Sequence, residues 1–309
     1  MSLWFVLLEI INHRDTEDTE VHREMKSQPT FRAKPSAGSQ MKPISQTAFY
    51  CCGVRMQDAA SDKPICGDVY AKVFMNEEGL RILEKFKDEV NPNTSNVARA
   101  RLIDDLLRKE LRANPNLRVV LIGAGFDSRA YRLKGGTWIE LDEPQVIVYK
   151  NERLPASQAQ NPLQRIPIDF ATESVKEKLS AVAENGGPTV VVIEGVFMYL
   201  EPETIRQLLQ TLHRLFPEHK LICDLMTRKF FERYGRTIHQ KLTGMGATFK
   251  FTVKNPEELF LQNGYRRVGC FSVVEKSAEY QSRKIPKIMV RTILRTLTSG
   301  YAIYVFAAT

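Results

Sequence analysis

From about residue 118 onward, short apolar runs alternate along the chain with longer segments whose apolar residues recur every three or four positions. Short runs rich in Val, Ile and Leu that end at Gly, Asp or Glu are typical of strands buried on both faces of a sheet. Seven segments are predicted as strands, several of which end in this way, and they span residues 118–122, 137–141, 164–167, 189–194, 220–224, 266–275 and 300–308.

Segments with helical periodicity lie before and between these strands, at residues 95–112, 146–153, 174–184, 202–216 and 256–263. Strands and helices that alternate in this way are typical of an α/β protein with a doubly wound, open sheet. We therefore predict a mostly parallel, seven-stranded sheet. Its last two strands are expected to form an antiparallel hairpin, and residues 41–117 are expected to form an N-terminal helical cap.

The first forty residues differ from the rest of the chain. After a short apolar start they are polar, have no sustained apolar period and end in Pro, Ser and Gly. This composition predicts a disordered tail, or a segment upstream of the natural start, since Met25 and Met41 are alternative starts. The apolar start lacks the length of a membrane span and the features of a signal peptide. We expect one folded domain over residues 41–309.

The expected domain is basic. The whole sequence has a formal net charge of +8, and residues 41–309 contain 39 Lys and Arg against 30 Asp and Glu. This excess is suited to an anionic substrate. It also motivates an alternative of another class, a nucleic-acid-associated binding protein. The chain has neither the concentrated basic stripe nor the repeated aromatic and basic units of such proteins, and this argues against that alternative.

The cysteines predict a reducing compartment. Their number is odd and no pair has CxxC spacing, the five being Cys51, Cys52, Cys66, Cys223 and Cys270. This pattern argues against a disulfide framework and against structural zinc. We therefore expect a cytoplasmic protein without a metal site.

Candidate chemistry begins where the first predicted strand ends, in the sequence VVLIGAGFDSRAYRL, with Gly123 and Gly125 directly after the apolar run. In open α/β sheets ligands bind beyond the carboxyl ends of the strands, and glycine there permits a positive φ and a close approach. The motif is not a full dinucleotide fingerprint, so it favours a nucleotide without pyrophosphate. NAD binding and a simple tight turn remain the alternatives.

The second predicted strand, in the sequence TWIELDEP, ends in Asp142, nineteen residues after Gly123. An acidic residue at this position can accept hydrogen bonds from both hydroxyls of a ribose. The glycine turn and the acidic strand end together predict a nucleoside site.

Four segments, VVLIGAGFDSRAYRL, WIELDEP, IPIDF and VVIEGVFMYLEPETI, occur in this order along the chain. Together they resemble the leucine carboxyl methyltransferase family, whose bacterial branch includes polyketide carboxyl O-methyltransferases of the tetracenomycin type. The resemblance spans about residues 47–203. It implies a class I, Rossmann-like methyltransferase fold and S-adenosyl-L-methionine as the cofactor.

The resemblance also implies a set of cofactor contacts: Lys63, Arg99, Gly123, Gly125, Asp142, Asp169, Phe170 and Glu194. Gly123 would lie against the methionine part of the cofactor, and Asp142 would bind the ribose. Asp169 and Phe170, in the sequence PIDF, would bind the adenine.

Two further contacts concern the amino-acid part of the cofactor. By the same resemblance, Arg99 in NVARARLIDD would bind the carboxylate and Glu194 would lie near the ammonium. These residue types are suited to the two charges of a zwitterion. Lys63 matches a family lysine near the active site, although the chain reads Asp-Val-Tyr from residue 68 where the family commonly has Asp-Pro-Tyr.

The family resemblance implies methyl transfer to an oxygen, most simply a carboxylate of a small, polyketide-like molecule or of a peptide end. A carboxylate is already ionised at neutral pH and needs no general base, and no His lies beside the motifs. The alternative is methylation of a hydroxyl or phenol of a natural product. That reaction would need a base such as His239 or Lys63.

Two features after the fourth predicted strand concern the acceptor. Tyr199, in GVFMYL, is a candidate acceptor contact, with helix packing as the equal alternative. Residues 227–253 form a long basic and aromatic insertion, which predicts a substrate lid or, alternatively, an ordinary pair of helices over the sheet. The sequence leaves the identity of the acceptor and the oligomeric state open.

Overall fold

The computed structural model of the chain describes residues 41–184, 186–281 and 295–309. The expectations for residues 1–40 therefore lie outside the described part. The strands of the described part are β1 (Arg118–Ile122), β2 (Thr137–Asp142), β3 (Leu163–Pro167), β4 (Thr189–Ile193), β5 (Lys220–Met226), β6 (Tyr265–Ser272) and β7 (Tyr301–Ala308).

Helices flank the strands on both sides of the sheet. In chain order they are α1 (Pro43–Ala59), α2 (Ala71–Phe74), α3 (Glu77–Glu84), α4 (Val90–Ala113), α5 (Arg129–Arg132), α6 (Pro144–Arg153), α7 (Val175–Glu184), α8 (Pro202–Leu215), α9 (Arg228–Phe230), α10 (Arg236–Thr243), α11 (Glu258–Leu261), α12 (Val273–Tyr280) and α13 (Arg295–Thr298). Short 3-10 turns span Ala156–Gln158 and Phe197–Tyr199, and a π-helical turn spans Phe231–Gly235. Helices α1 to α4 lie within the segment predicted as a helical cap.

The seven strands form one sheet in the order β3-β2-β1-β4-β5-β7-β6. The first five strands of this order are parallel, and β7 is antiparallel to both of its neighbours. The predicted fold class is therefore confirmed, including the antiparallel pairing of the last two strands. The strand order reverses between β1 and β4, and ligands of doubly wound sheets bind at such a switch point.

Alternate residues of each strand point to opposite faces of the sheet. One face packs against α7, α8 and α11 through side chains such as Ile139, Val191 and Leu221, and we call it the apolar face. The other face packs against α1, α3 and α4. We call it the polar face, because its strand positions include four buried or nearly buried acidic residues at or near the carboxyl ends, Glu140, Asp142, Glu194 and Asp224.

One predicted strand is shorter than expected. The apolar pattern predicted strand over residues 266–275, but β6 ends at Ser272 and α12 begins directly after it. The Ser272 hydroxyl accepts a hydrogen bond from the Glu275 backbone N–H at 3.2 Å. A serine that caps the first turn ends the strand here, and the apolar residues that follow belong to a helix.

No helix within the described ranges is long and apolar enough to cross a membrane. The described residues likewise contain no group of three or more His, Cys, Asp and Glu side chains that could hold a metal ion.

Candidate cofactor and active site

The turn after β1 requires glycine at two positions, Gly123 and Gly125. Gly123 has φ of 70° and Gly125 has φ of 47°. A Cβ on Gly123 would lie 2.6 Å from Cγ2 of Val196, which follows β4. The Gly123 N–H donates to the Leu141 carbonyl at 2.9 Å, so the turn is fixed to the end of β2. The turn therefore presents bare backbone at the switch point, as the sequence predicted.

Asp142 ends β2 directly beside this turn. One of its oxygens accepts from the Gly125 N–H at 2.6 Å, and the other accepts from the Glu143 N–H at 2.7 Å. Burial raises the pKa of Asp142 to about 6, although both hydrogen bonds favour the charged form. Each carboxylate oxygen keeps a further lone pair, so the side chain can still accept two hydrogen bonds from a vicinal diol.

Arg99 of α4 and Glu194 after β4 form an ion pair at the carboxyl edge of the polar face. Arg99 Nε donates to Glu194 at 2.9 Å, and Arg129 pairs with the other Glu194 oxygen at 2.9 Å. Burial alone would raise the pKa of Glu194, but Arg129 and Arg99 outweigh it and lower the pKa to about 2. Glu194 is therefore ionised throughout the range in which proteins work.

Arg99 also contacts two residues that the sequence analysis did not assign to the site. Its Nη1 atom donates to the Tyr301 hydroxyl at 2.9 Å and to Asp224 at 3.3 Å. Asp224 in turn accepts from the Gly195 N–H at 2.6 Å. Among the described residues, the hydrogen-bond partner of Arg99 Nη2 is the weak acceptor Cys51 Sγ at 3.8 Å.

The turn after β4 lies directly against this arginine. Gly195 has φ of 68°, and a Cβ there would lie 3.4 Å from Arg99 Nη2. The two glycine turns, after β1 and after β4, therefore border the same edge of the sheet as Asp142 and Arg99. We call this edge the cradle: small residues border three acidic side chains, Asp142, Glu194 and Asp224, and two guanidiniums, Arg99 and Arg129.

Asp169 and Phe170 follow β3 at the outer end of this edge. Phe170 is 41% exposed. Asp169 accepts a hydrogen bond from Lys42 Nζ at 2.8 Å, and Lys42 also forms an ion pair with Glu143 at 2.7 Å. Sequence reasoning missed Lys42, which precedes α1 and bridges the residue after Asp142 to the predicted adenine position.

Lys63 lies apart from these contacts. Its side chain is exposed in the loop after α1, and it has no hydrogen bond or ion pair to another described residue. Asp68, further along this loop, is buried and binds Arg55 at 2.9 Å and the Ser128 hydroxyl at 2.5 Å. The loop is thus anchored beside the glycine turn through Asp68, and the role of Lys63 stays a prediction.

Tyr199 lies against the insertion of residues 227–253. Its ring meets Phe249 edge to face, with the centroids 5.2 Å apart. The backbone carbonyl of Met198 accepts from the N–H groups of Lys250 and Phe251, at 2.7 and 3.1 Å. Burial raises the pKa of Tyr199, so its hydroxyl stays protonated at neutral pH.

His239 of α10 is held within the insertion. Its Nε2 atom accepts a hydrogen bond from the Phe249 N–H at 3.1 Å, and its ring packs between Phe231 and Phe249. Burial lowers the pKa of His239, so the ring is neutral. The lone pair that a general base would use is therefore already engaged with the backbone.

The insertion contacts the N-terminal helices as well as the turn after β4. Lys241 forms an ion pair with Glu89 at 2.6 Å. Gly246 is packed so closely against Pro43 that a Cβ would lie 2.7 Å from the proline Cβ. Residues 227–253 therefore connect the carboxyl end of the sheet with the helices predicted to form the cap.

The strand order, the glycine turn and the acidic strand ends define the class I methyltransferase fold. The chain belongs to the leucine carboxyl methyltransferase family, whose sequence model matches residues 48–213. That match contains the turn after β1, Asp142 and the segment up to α8. It ends before β5, the insertion and β7.

One relative is similar in sequence, and two solved structures are similar in fold. A protein of Mycolicibacterium paratuberculosis named "Putative S-adenosyl-L-methionine-dependent methyltransferase" is 33% identical over 203 residues, 59% of this chain and 65% of that protein. The alignment thus spans just under two thirds of the relative. A DUF574 family protein of Streptomyces avermitilis has a similar fold, with a TM-score of 0.54 at 10% identity over 78% of this chain and 96% of that one. A structure from Thermobifida fusca, titled as a putative methyltransferase, has a TM-score of 0.51 at 13% identity over 78% and 93%.

Proposed function

We propose that this protein is an S-adenosyl-L-methionine-dependent O-methyltransferase that methylates a carboxylate of a small, polyketide-like molecule or of a peptide end. The observation that carries the proposal is the cluster at the carboxyl edge of the polar face. There a bare glycine turn, the Asp142 carboxylate and the Arg99–Glu194 pair border one cradle. Family membership supports the same cofactor.

The donor set fits this cofactor part by part. Asp142 would accept from the ribose hydroxyls, and Arg99 would bind the carboxylate through Nη2, its least engaged nitrogen. Glu194 stays ionised and would attract the ammonium. When bound, S-adenosyl-L-methionine supplies a methyl group made electrophilic by its sulfonium.

Adenine recognition is expected at the outer end of the edge. The exposed ring of Phe170 offers a packing surface, and Asp169 offers an acceptor for an exocyclic amine. Lys42 shares that carboxylate, so adenine binding would compete with an ion pair or rearrange it. Lys63 is retained as a candidate cofactor contact from the family resemblance alone.

The remaining task of the protein is to orient the acceptor and to exclude water. We assign water exclusion to the cap of residues 41–117 and to the insertion of residues 227–253, which contact each other through Lys241 and Gly246. The exposed basic residues of the insertion would attract an anionic acceptor. Tyr199, whose hydroxyl stays protonated, can donate a hydrogen bond to an acceptor carboxylate.

A carboxylate acceptor is favoured over a hydroxyl because His239, one of the two bases expected for a hydroxyl, is unsuited to the task. Lys63, the other, is exposed and has no hydrogen bond or ion pair to another described residue. His239 Nε2 accepts the Phe249 N–H, and its partly buried ring packs against aromatic side chains. An ionised carboxylate needs no base and attacks as it is. The free thiols of all five cysteines favour a reducing compartment, and we propose the cytoplasm.

The experiment is a transfer assay with methyl-labelled S-adenosyl-L-methionine and a panel of aromatic carboxylic acids, phenols and short peptides. Labelled products are then treated with hydroxide. A methyl ester releases labelled methanol, whereas a methyl ether keeps its label. Base-labile label confined to the carboxylic acids and peptide ends is the expected result. Base-stable label on phenols would overturn the carboxylate assignment, and transfer to none of the panel by protein that binds the cofactor would argue for another acceptor.

A further inference from the structure

The last strand of the sheet reaches the cofactor-binding arginine. Tyr301, the first residue of β7, is buried, and its hydroxyl lies between two charged groups of the polar face. The hydroxyl donates to Asp224 at 2.9 Å and accepts from Arg99 Nη1 at 2.9 Å. A single phenol thus connects α4, β5 and β7 at the edge where the cofactor is expected.

These contacts fix the orientation of the planar guanidinium of Arg99. A guanidinium has five N–H donors in a rigid fork, so fixing two nitrogens fixes the direction of the third. Glu194 engages Nε of Arg99, and Tyr301 with Asp224 engages Nη1. Among the described residues the remaining nitrogen, Nη2, has neither a carboxylate nor the phenol as a partner, and it borders Gly195, where a Cβ would lie 3.4 Å from Nη2 and 3.5 Å from Nη1.

Asp224 contributes to the same geometry from its other oxygen. That oxygen accepts from the Gly195 N–H at 2.6 Å and so ties the turn after β4 to β5. Asp224 is fully buried, and its position on the polar face means that removing a partner would leave an uncompensated charge. The Asp224 carboxylate therefore fixes the position of Arg99 and also that of the Gly195 backbone, against which Arg99 lies.

We propose that Tyr301, acting with Asp224, is a positioning residue that orients Arg99 toward the carboxylate of the cofactor. This inference rests on the proposed function. Both residues lie beyond the segment matched by the family model, which ends at residue 213, whereas Arg99 lies within it. In this proposal β7, which is antiparallel to its neighbours, has a role at the site in addition to its place in the sheet.

The test compares two ligands that differ in one part. S-adenosylhomocysteine carries the amino-acid part, and 5′-methylthioadenosine carries only the nucleoside and a thioether. Calorimetry measures the Kd of both for the full chain and for Tyr301→Phe. We expect Tyr301→Phe to weaken S-adenosylhomocysteine about tenfold, the loss of one hydrogen bond that orients a charged donor, and to leave 5′-methylthioadenosine unchanged.

The matched control is Tyr304→Phe, which removes a hydroxyl from the same strand. Tyr304 packs in the core of the apolar face, and its hydroxyl is close to Cys270 instead of Arg99. We expect this variant to bind both ligands like the wild type. If Tyr301→Phe fails to fold, Asp224→Asn carries the same test, because an amide has a single acceptor oxygen and cannot accept from the Gly195 N–H on one side and from Tyr301 and Arg99 on the other.

The outcomes separate the inference from the proposed function. Failure of the folded wild type to bind S-adenosylhomocysteine would overturn the proposed function. Normal binding by the wild type together with an unchanged Kd in Tyr301→Phe would overturn the positioning role alone. Equal weakening of both ligands would also overturn it, since a general loss of structure does not distinguish the amino-acid part.

Discussion

The two faces of the same sheet are built from alternate residues of the same strands, yet they differ in kind. On β4 the apolar face has Val191 and Ile193, whereas the polar face leads from Val192 to Glu194. On β5 the apolar face has Cys223, and its neighbour Asp224 lies on the polar face. The apolar face packs hydrocarbon against hydrocarbon, and on the polar face the buried acids bind arginines, a lysine or backbone N–H groups.

This difference separates the residues that stabilise the fold from those that form the candidate site. Stability of the apolar face comes from burial and close packing, which is non-directional. On the polar face each charge is compensated by a partner at a fixed distance, and such groups are costly to bury unless they are paired. Substitutions on the first face should therefore change stability alone, and substitutions on the second should change ligand binding.

The largest effect is expected from Arg99→Met. Removal of the guanidinium leaves Asp224 and one oxygen of Glu194 without their compensating charge. We expect the free energy of unfolding to fall by about 3–5 kcal/mol and binding of S-adenosylhomocysteine to be lost. Denaturant titration and calorimetry measure the two effects. If the variant still bound S-adenosylhomocysteine, another residue would have to recognise its amino-acid part.

Leu221→Ala is the corresponding change on the apolar face. Leu221 is fully buried, and a cavity at such a position costs about 2–5 kcal/mol of unfolding free energy. At a temperature where the variant is folded, the Kd values of S-adenosylhomocysteine and 5′-methylthioadenosine should match those of the wild type. A selective loss of one ligand would contradict the separation of the two faces.

The pH dependence of cofactor binding should follow Asp142. Its pKa is raised to about 6, so the carboxylate that we propose accepts the ribose hydroxyls is lost as the pH falls through that value. We expect the Kd of S-adenosylhomocysteine to be constant above about pH 7 and to rise towards tenfold per pH unit well below pH 6. Glu194, with its pKa lowered to about 2, stays ionised in this window. A flat profile from pH 7 to 5 would refute the role of Asp142.

The smallest effect is expected from Lys42→Met. Lys42 is 38% exposed and pairs with Asp169 and Glu143, and exposed ion pairs of this kind contribute about 0–1 kcal/mol. Because the lysine competes for the predicted adenine acceptor, the variant should bind S-adenosylhomocysteine up to about fivefold more tightly at low salt. High salt should remove the difference between variant and wild type. Weaker binding by the variant would instead make Lys42 a direct cofactor contact.

Much of the fold was predictable because its signals are local. The strand predicted at residues 118–122 has the bounds of β1, and the other strands differ at their ends. Gly123 and Asp142 were predicted because small or acidic residues end apolar runs, whereas Glu194 was predicted from the family resemblance. The same signal was present at Asp224, where the predicted strand of residues 220–224 ends, but it was not used.

The rest of the site depends on contacts between residues far apart in the sequence. Tyr301 is separated from Arg99 by 202 positions, and Lys42 from Asp169 by 127. Hydrophobic periodicity specifies which face a residue occupies, but it carries no information on which distant side chain will lie opposite. Local patterns can also mislead. After Ser272 the apolar residues predicted a continued strand, but the serine cap begins a helix there.

The central claim is that the carboxyl edge of the polar face binds S-adenosyl-L-methionine through Asp142. The direct measurement is calorimetric titration of S-adenosyl-L-methionine into the wild type and into Asp142→Asn, with thermal unfolding as the control for folding. The account predicts one site per chain in the wild type and a large loss of affinity in the folded variant. Equal binding by both proteins, or no binding by the folded wild type, would contradict it.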